Sequence, residues 1–127
     1  MERSVRVLVV DDDQTFCQLL VEVLESKGIN VTWTTDGLEG YEKSLYDAFD
    51  LFILDQRMPL ILGTELIEEI KKDNPRAKII LTSAFADKAL QNWSQTVGVP
   101  LLSKPFSADR LLQLVANALT GPTKPES

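Results

Sequence analysis

Histidine is absent from the 127 residues. That excludes histidine general bases, histidine metal ligands and a phosphohistidine carried on this chain. A single cysteine, Cys17, excludes an intramolecular disulfide and a cysteine-rich zinc site. Basic residues are outnumbered, with 13 Lys and Arg against 19 Asp and Glu, for a net charge of -6. A phosphate backbone needs a basic patch, so direct nucleic-acid contact by this domain is not expected. A partner with a basic face, or a bound cation, suits this charge. Apolar runs all fall far short of the roughly 18 residues of a membrane helix. Met1-Glu2-Arg3-Ser4 leads straight into a strand-like run. We therefore expect no signal peptide, no membrane span and a reducing, cytoplasmic location.

What remains is ordinary globular material. Apolar residues are 44% and charged residues 25%, at a length typical of one domain. Val5 to Val10 is a β-branched apolar run that reads as a buried strand, ended by Asp11, Asp12 and Asp13. Phe16, Leu19, Leu20, Val23 and Leu24 then recur at helical spacing, with Asp13 at the helix start and Gly28 as a stop. Ile29, Val31 and Trp33 alternate as a second strand. Leu38, Tyr41, Leu45, Ala48 and Phe49 give a second helix. Leu51 to Leu54 is a third strand, ended by Asp55. Leu66, Ile67 and Ile70 mark a third helix, closed by Asn74-Pro75. Lys78 to Thr82 is a fourth strand. Ala89, Leu90, Trp93 and Val97 give a fourth helix before Gly98. Val99 to Ser103 is a short fifth strand. Ser107 caps a last helix that runs to Leu119. Trp33, Tyr41, Phe49 and Phe52 read as core, and Cys17 as a packed or half-exposed thiol.

Continuous apolar strands alternating with amphipathic helices predict an α/β fold with a parallel sheet covered on both faces. Right-handed crossovers leave a doubly wound five-stranded sheet of order 2-1-3-4-5, flavodoxin-like (βα)5, as the leading topology. Residues 1–120 form this domain. Residues 121–127, Gly-Pro-Thr-Lys-Pro-Glu-Ser, read as a tail or the start of a linker.

Ligands of such sheets bind beyond the carboxyl ends of the strands. That edge carries Asp11 and Asp12, then Asp55, Ser83 and Lys104. With the first and third strands adjacent, three carboxylates crowd one small area. At about 5 Å and an effective dielectric near 20, each like-charged pair costs roughly 3 kcal/mol. A proton, Lys104 or a divalent cation must offset this. An all-oxygen donor set points to magnesium. A phosphoryl group on Asp55 would suit these surroundings, with the metal, the Lys104 ammonium and the Ser83 hydroxyl each facing one of its oxygens. Any one of these residues alone reads as a turn, cap or surface residue. The joint pattern at one edge is what carries the chemistry.

From about Val5 to Leu119 the chain resembles the receiver domain of two-component response regulators, of the chemotaxis-regulator type. Val9-Val10-Asp11-Asp12-Asp13 is similar to that family's first strand and acidic pair. Asp55-Gln56-Arg57-Met58-Pro59, with Gly63 beyond it, resembles its phosphoacceptor loop. Leu81-Thr82-Ser83-Ala84 resembles its switch hydroxyl followed by a small residue. Ser103-Lys104-Pro105-Phe106 resembles its lysine motif, where the Lys-Pro bond is typically cis. The resemblance implies a signalling switch more than an enzyme. Asp55 would take a phosphoryl group from a histidine kinase or histidine phosphotransfer protein. Asp12, Asp55 and the Arg57 main-chain carbonyl would bind magnesium, with Asp11 acting through water. Ser83, rather than Thr82, and Lys104 would grip the phosphoryl group. An effector domain or downstream protein would use the face of the fourth helix, fifth strand and fifth helix, where Trp93 either joins that face or packs in the core. Homodimerisation on phosphorylation is a further family property. One departure stands out: Leu101 occupies the usual Tyr or Phe switch position.

Two readings compete. A receiver-like interaction module would keep the fold without phosphate control. A haloacid-dehalogenase-like phosphatase would use Asp11 as nucleophile and Asp13 as acid/base, because Asp11-Asp12-Asp13-Gln14-Thr15 fits its Asp-x-Asp-x-Thr motif. That second reading leaves Asp55 without a role.

Overall fold

The computed structural model describes residues 4–120, so the 121–127 tail lies outside the described residues. Five strands alternate with five helices: β1 (Arg6–Val10), α1 (Gln14–Glu25), β2 (Asn30–Thr34), α2 (Gly37–Tyr46), β3 (Leu51–Asp55), α3 (Gly63–Asp73), β4 (Ile79–Ser83), α4 (Lys88–Val97), β5 (Leu101–Ser103) and α5 (Ala108–Thr120). All pairings are parallel, in the order β2-β1-β3-β4-β5. This is the flavodoxin-like arrangement expected from the sequence.

The strand pleat sorts alternate residues onto two cores. Val7, Val9, Ile53 and Ile80 meet Cys17, Leu20 and Leu24 of α1 and Leu111 and Val115 of α5. Leu8, Val10, Leu54 and Leu81 meet Leu66, Ile67 and Ile70 of α3 and Leu90 of α4. Every residue of β3 and β4 is buried, as central parallel strands require. Each fully buried Leu or Ile contributes roughly 1.5–3 kcal/mol relative to exposure.

Polar caps start α1, α2, α4 and α5. Asp13 accepts the Phe16 N–H at 3.1 Å to open α1, and Ser107 accepts the Arg110 N–H at 3.0 Å to open α5. Gly98, in the left-handed region at φ 75°, closes α4.

Two details differ from the sequence reading. The second helix ends at Tyr46, so Ala48 and Phe49 lie beyond it, and its Leu38 and Leu45 are half exposed. Helix α2 packs through glycine instead: a Cβ on Gly40 would lie 2.7 Å from the Val10 side chain. Apolar periodicity cannot register a contact made by the absence of a side chain. The fifth strand begins at Leu101, not Val99, because Pro100 precedes it and only its carbonyl joins the ladder, accepting the Leu81 N–H at 2.9 Å. Cys17 takes the packed alternative and is fully buried. Trp93 takes the core alternative and packs, partly buried, against the α3 and α4 side. Among the described residues, no helix is long and apolar enough to cross a membrane.

Candidate functional site

The ladder itself delivers the site residues to one edge. Val10 pairs with Leu54, so Asp11 and Asp55 follow at neighbouring strand ends. Asp55 pairs with Thr82, and Ser83 with Ser103, which sets Lys104 one residue further along. Backbone bonds fix each exit. The Asp11 N–H donates to the Thr34 carbonyl at 3.2 Å, the Gln56 N–H to the Thr82 carbonyl at 2.9 Å, and the Lys104 N–H to the Ser83 carbonyl at 2.8 Å. The Lys104–Pro105 bond is cis.

Lys104 crosses the edge and joins the two buried carboxylates. Its Nζ lies 2.8 Å from Asp11 Oδ2 and 3.3 Å from Asp55 Oδ1. Asp11 and Asp55 are 1% and 5% exposed, whereas Asp12 is open to solvent. The other Asp11 oxygen, Oδ1, accepts the Asp13 N–H at 2.9 Å. Burial, then the Asp11 charge, pushes the Asp55 carboxyl up to about 6, with Lys104 pulling the other way. Burial also acts most strongly on Lys104 and alone would lower it. The hydrogen bond and charge of Asp11, joined by Asp55, outweigh that and raise it, so the ammonium stays charged at neutral pH.

One lysine cannot balance three carboxylates. Ligand oxygens of Asp11, Asp12 and Asp55 all lie within 4.8 Å of one another. An all-carboxylate set, partly open to water, fits a hard divalent cation that keeps several waters. Arg57, exposed in the turn two residues past Asp55, has its main-chain carbonyl in the segment between Gln56 and Gly63. Ser83 is buried, and its Oγ accepts the Phe85 N–H at 3.0 Å, which leaves its own proton to donate. Thr82, also buried, points its hydroxyl to the Leu54 carbonyl at 3.5 Å.

The loop that follows Asp55 is braced by Gly63. Its N–H donates to the Gln56 carbonyl at 2.9 Å, and an added Cβ would sit 2.5 Å from the Asp55 carbonyl oxygen. Only glycine admits α3 this close to the end of β3.

Comparison with known proteins gives the family. The model of the response regulator receiver domain matches residues 7–116. The chain belongs to that family. A response regulator receiver protein of Anaeromyxobacter sp. (strain Fw109-5) is 34% identical over 110 residues, covering 86% of this chain and 46% of the relative. Hybrid signal transduction histidine kinase D of Dictyostelium discoideum is 35% identical over 117 residues, covering 90% of this chain and 8% of the kinase. This receiver thus spans less than half the length of these relatives. The response regulator protein TrrA of Thermotoga maritima, solved in complex with Mg2+-BeF, superposes with a TM-score of 0.83 at 35% identity, covering 91% of this chain and 99% of that one. Receivers are modules of two-component signalling rather than enzymes in the usual sense. Membership sets aside the phosphatase reading, and Asp13 is in any case engaged as the cap of α1.

Three contributors to the site were not legible. Phe16, read as a core position of the first helix, lies under Lys104, with Nζ 4.2 Å from its ring centroid. The Cys17 thiol donates to the Asp11 carbonyl at 3.2 Å, and burial, then the Asp11 charge, pushes it up to about 12. It is a neutral prop, not a nucleophile. The Gln56 side chain accepts the Thr64 N–H at 2.8 Å and so caps α3, where Leu62 offers no polar side chain. Spacing to Lys104, some 93 positions further on in one case, carries no local signal.

Proposed function

We propose that Asp55 is the phosphoacceptor of a two-component switch. The observation that carries this is the convergence of three carboxylates on one strand edge, with Lys104 bridging the two buried ones. The Asp55 carboxylate oxygen forms a bond to phosphorus while the phosphorus–nitrogen bond of a partner's phosphohistidine breaks. The imidazole leaves with the bonding pair and takes a proton from solvent, and an acyl phosphate remains. Asp11, Asp12, Asp55 and the Arg57 carbonyl are the groups that would hold magnesium, which supplies charge stabilisation to the phosphoryl oxygens when bound. Lys104 is a second point charge for one oxygen, and the Ser83 proton is a donor for another. The chemistry asks for positioning and electrostatics rather than a base.

The donor is a histidine kinase or histidine phosphotransfer protein in the cytoplasm. The output passes to an effector domain or downstream protein through the α4, β5 and α5 face, with dimerisation on phosphorylation as one route. Leu101 would move without the usual aromatic ring.

The test is labelling with acetyl phosphate and magnesium, followed by peptide mapping, for the wild type, Asp55→Asn and Asp11→Asn. We expect one label per chain on Asp55, absent in Asp55→Asn and after chelation. Label on Asp11 would restore the phosphatase reading. Absence of label despite magnesium binding would make this an interaction module.

A further inference from the structure

Lys104 has three donors on its ammonium and a flexible stem of four carbons. Two directions are taken by Asp11 and Asp55, at 2.8 and 3.3 Å. The Phe16 ring takes another, its centroid 4.2 Å from Nζ, well inside cation–π range. That ring is itself fixed from both ends. Its backbone N–H is held by the Asp13 cap at 3.1 Å, and its neighbour Cys17 hangs on the Asp11 carbonyl. Its ring meets Phe106 edge to face, 5.6 Å between centroids at 85°. Phe106 lies two residues past Lys104, so the loop that carries the lysine also carries the ring that braces Phe16.

We infer that Phe16 is a positioning residue for phosphoryl acceptance: its ring face confines the Lys104 ammonium over the Asp11 and Asp55 carboxylates. This rests on Asp55 being the phosphoacceptor. The ring shields one side of the ammonium from water and attracts it electrostatically. An aliphatic side chain of similar volume would fill the space without that attraction, and the lysine stem would sample positions away from the incoming phosphoryl oxygen.

The experiment measures the rate of phosphorylation of Asp55 by acetyl phosphate at saturating magnesium. Phe16→Leu and Phe16→Met remove the ring face, and Phe16→Tyr restores it. We expect the first two to slow the reaction about three- to tenfold and Phe16→Tyr to stay close to wild type. The Lys104 ε-methylene protons should be shifted upfield by the ring in the wild type and Phe16→Tyr, and lose that shift in the other two. In a Lys104→Met background, Phe16→Leu should cause no further slowing. A simple packing role would slow the reaction equally in both backgrounds and without regard to the ring. A wild-type rate in Phe16→Leu, with wild type itself labelled on Asp55, overturns the inference alone. A wild type that takes no label overturns the phosphoacceptor reading, and the inference with it.

Discussion

The two ends of β1 treat charge in opposite ways. At its start, Arg6 is matched group by group. Its N–H donates to the Asp50 carboxylate at 2.8 Å, its guanidinium donates to the Ala48 carbonyl at 2.8 Å, and the same guanidinium lies 5.0 Å from the Phe49 ring centroid. Just past its other end, Asp11 shares a single lysine with Asp55, and Asp12 crowds in beside them. The first end is arranged for stability. The second holds more negative charge than Lys104 can balance, which leaves it receptive to a cation. Strand geometry is the same at both ends, so the contrast lies in the side chains alone.

Removing the one cation should sharpen that contrast most. Lys104→Met leaves Asp11 and Asp55 without their ammonium at 2.8 and 3.3 Å. Loss of a preorganised charge partner costs about a hundred- to a thousandfold in rate at comparable sites. We expect a fall of at least about a hundredfold in labelling by acetyl phosphate, and an Asp55 carboxyl displaced further upward in a carbon-13 titration. A fall of less than about threefold would mean that Lys104 is only a structural tie.

Relieving the crowding is the next effect. The Asp55 carboxyl titrates at about 6 in the fold, against 3.8 ordinarily, first because of burial and then because of Asp11. A raised carboxyl pKa means that the fold holds the proton more tightly than the unfolded chain does. The stability this contributes is complete below the ordinary value and is lost as pH rises through about 6. Without divalent cation at pH 8, the wild type therefore carries the whole cost of an ionised Asp55, on the order of 3 kcal/mol. Asp55→Asn should be more stable than wild type by roughly that amount at pH 8, and the gain should shrink towards pH 4. Magnesium should narrow the gap at pH 8 by binding only the wild type. Urea unfolding at the two pH values, with and without magnesium, decides it. An equal gain at both values would show that packing, not charge, separates the variants.

Much of this was readable beforehand. The strand order and the edge that gathers Asp11, Asp12, Asp55, Ser83 and Lys104 follow from local patterns: β-branched runs, helical spacing and polar residues at strand ends. The receiver motifs made the same residues recognisable. What stayed hidden depends on contacts between distant segments or on missing atoms. Apolar spacing extends helix α2 too far because Ala48 and Phe49 are apolar, yet they belong to the Arg6 end of the sheet. The Gly40 and Gly63 contacts are made where the glycine itself carries no side chain. Phe16 has the same signature in sequence as any buried aromatic of an amphipathic helix, and only the fold brings it under a lysine some 88 positions away.

The balanced end gives the smallest effect and the cleanest control. Arg6→Met removes the guanidinium from Ala48 and Phe49 but keeps the backbone N–H that Asp50 accepts, so the ladder is undisturbed. One exposed hydrogen bond and one half-buried cation–π contact together amount to about 1 kcal/mol. We expect a loss of that size in urea unfolding, equal with and without magnesium, and an unchanged rate of labelling. The Met side chain still covers Phe49, so the loss reports charge rather than a cavity. If this variant altered magnesium affinity or the labelling rate, the two ends of β1 would be coupled through the strand. The separation between an end built for stability and an end built for exchange would then be untenable. If it does not, the excess charge at the Asp55 edge is a local property, tolerated because the rest of the sheet is matched without it.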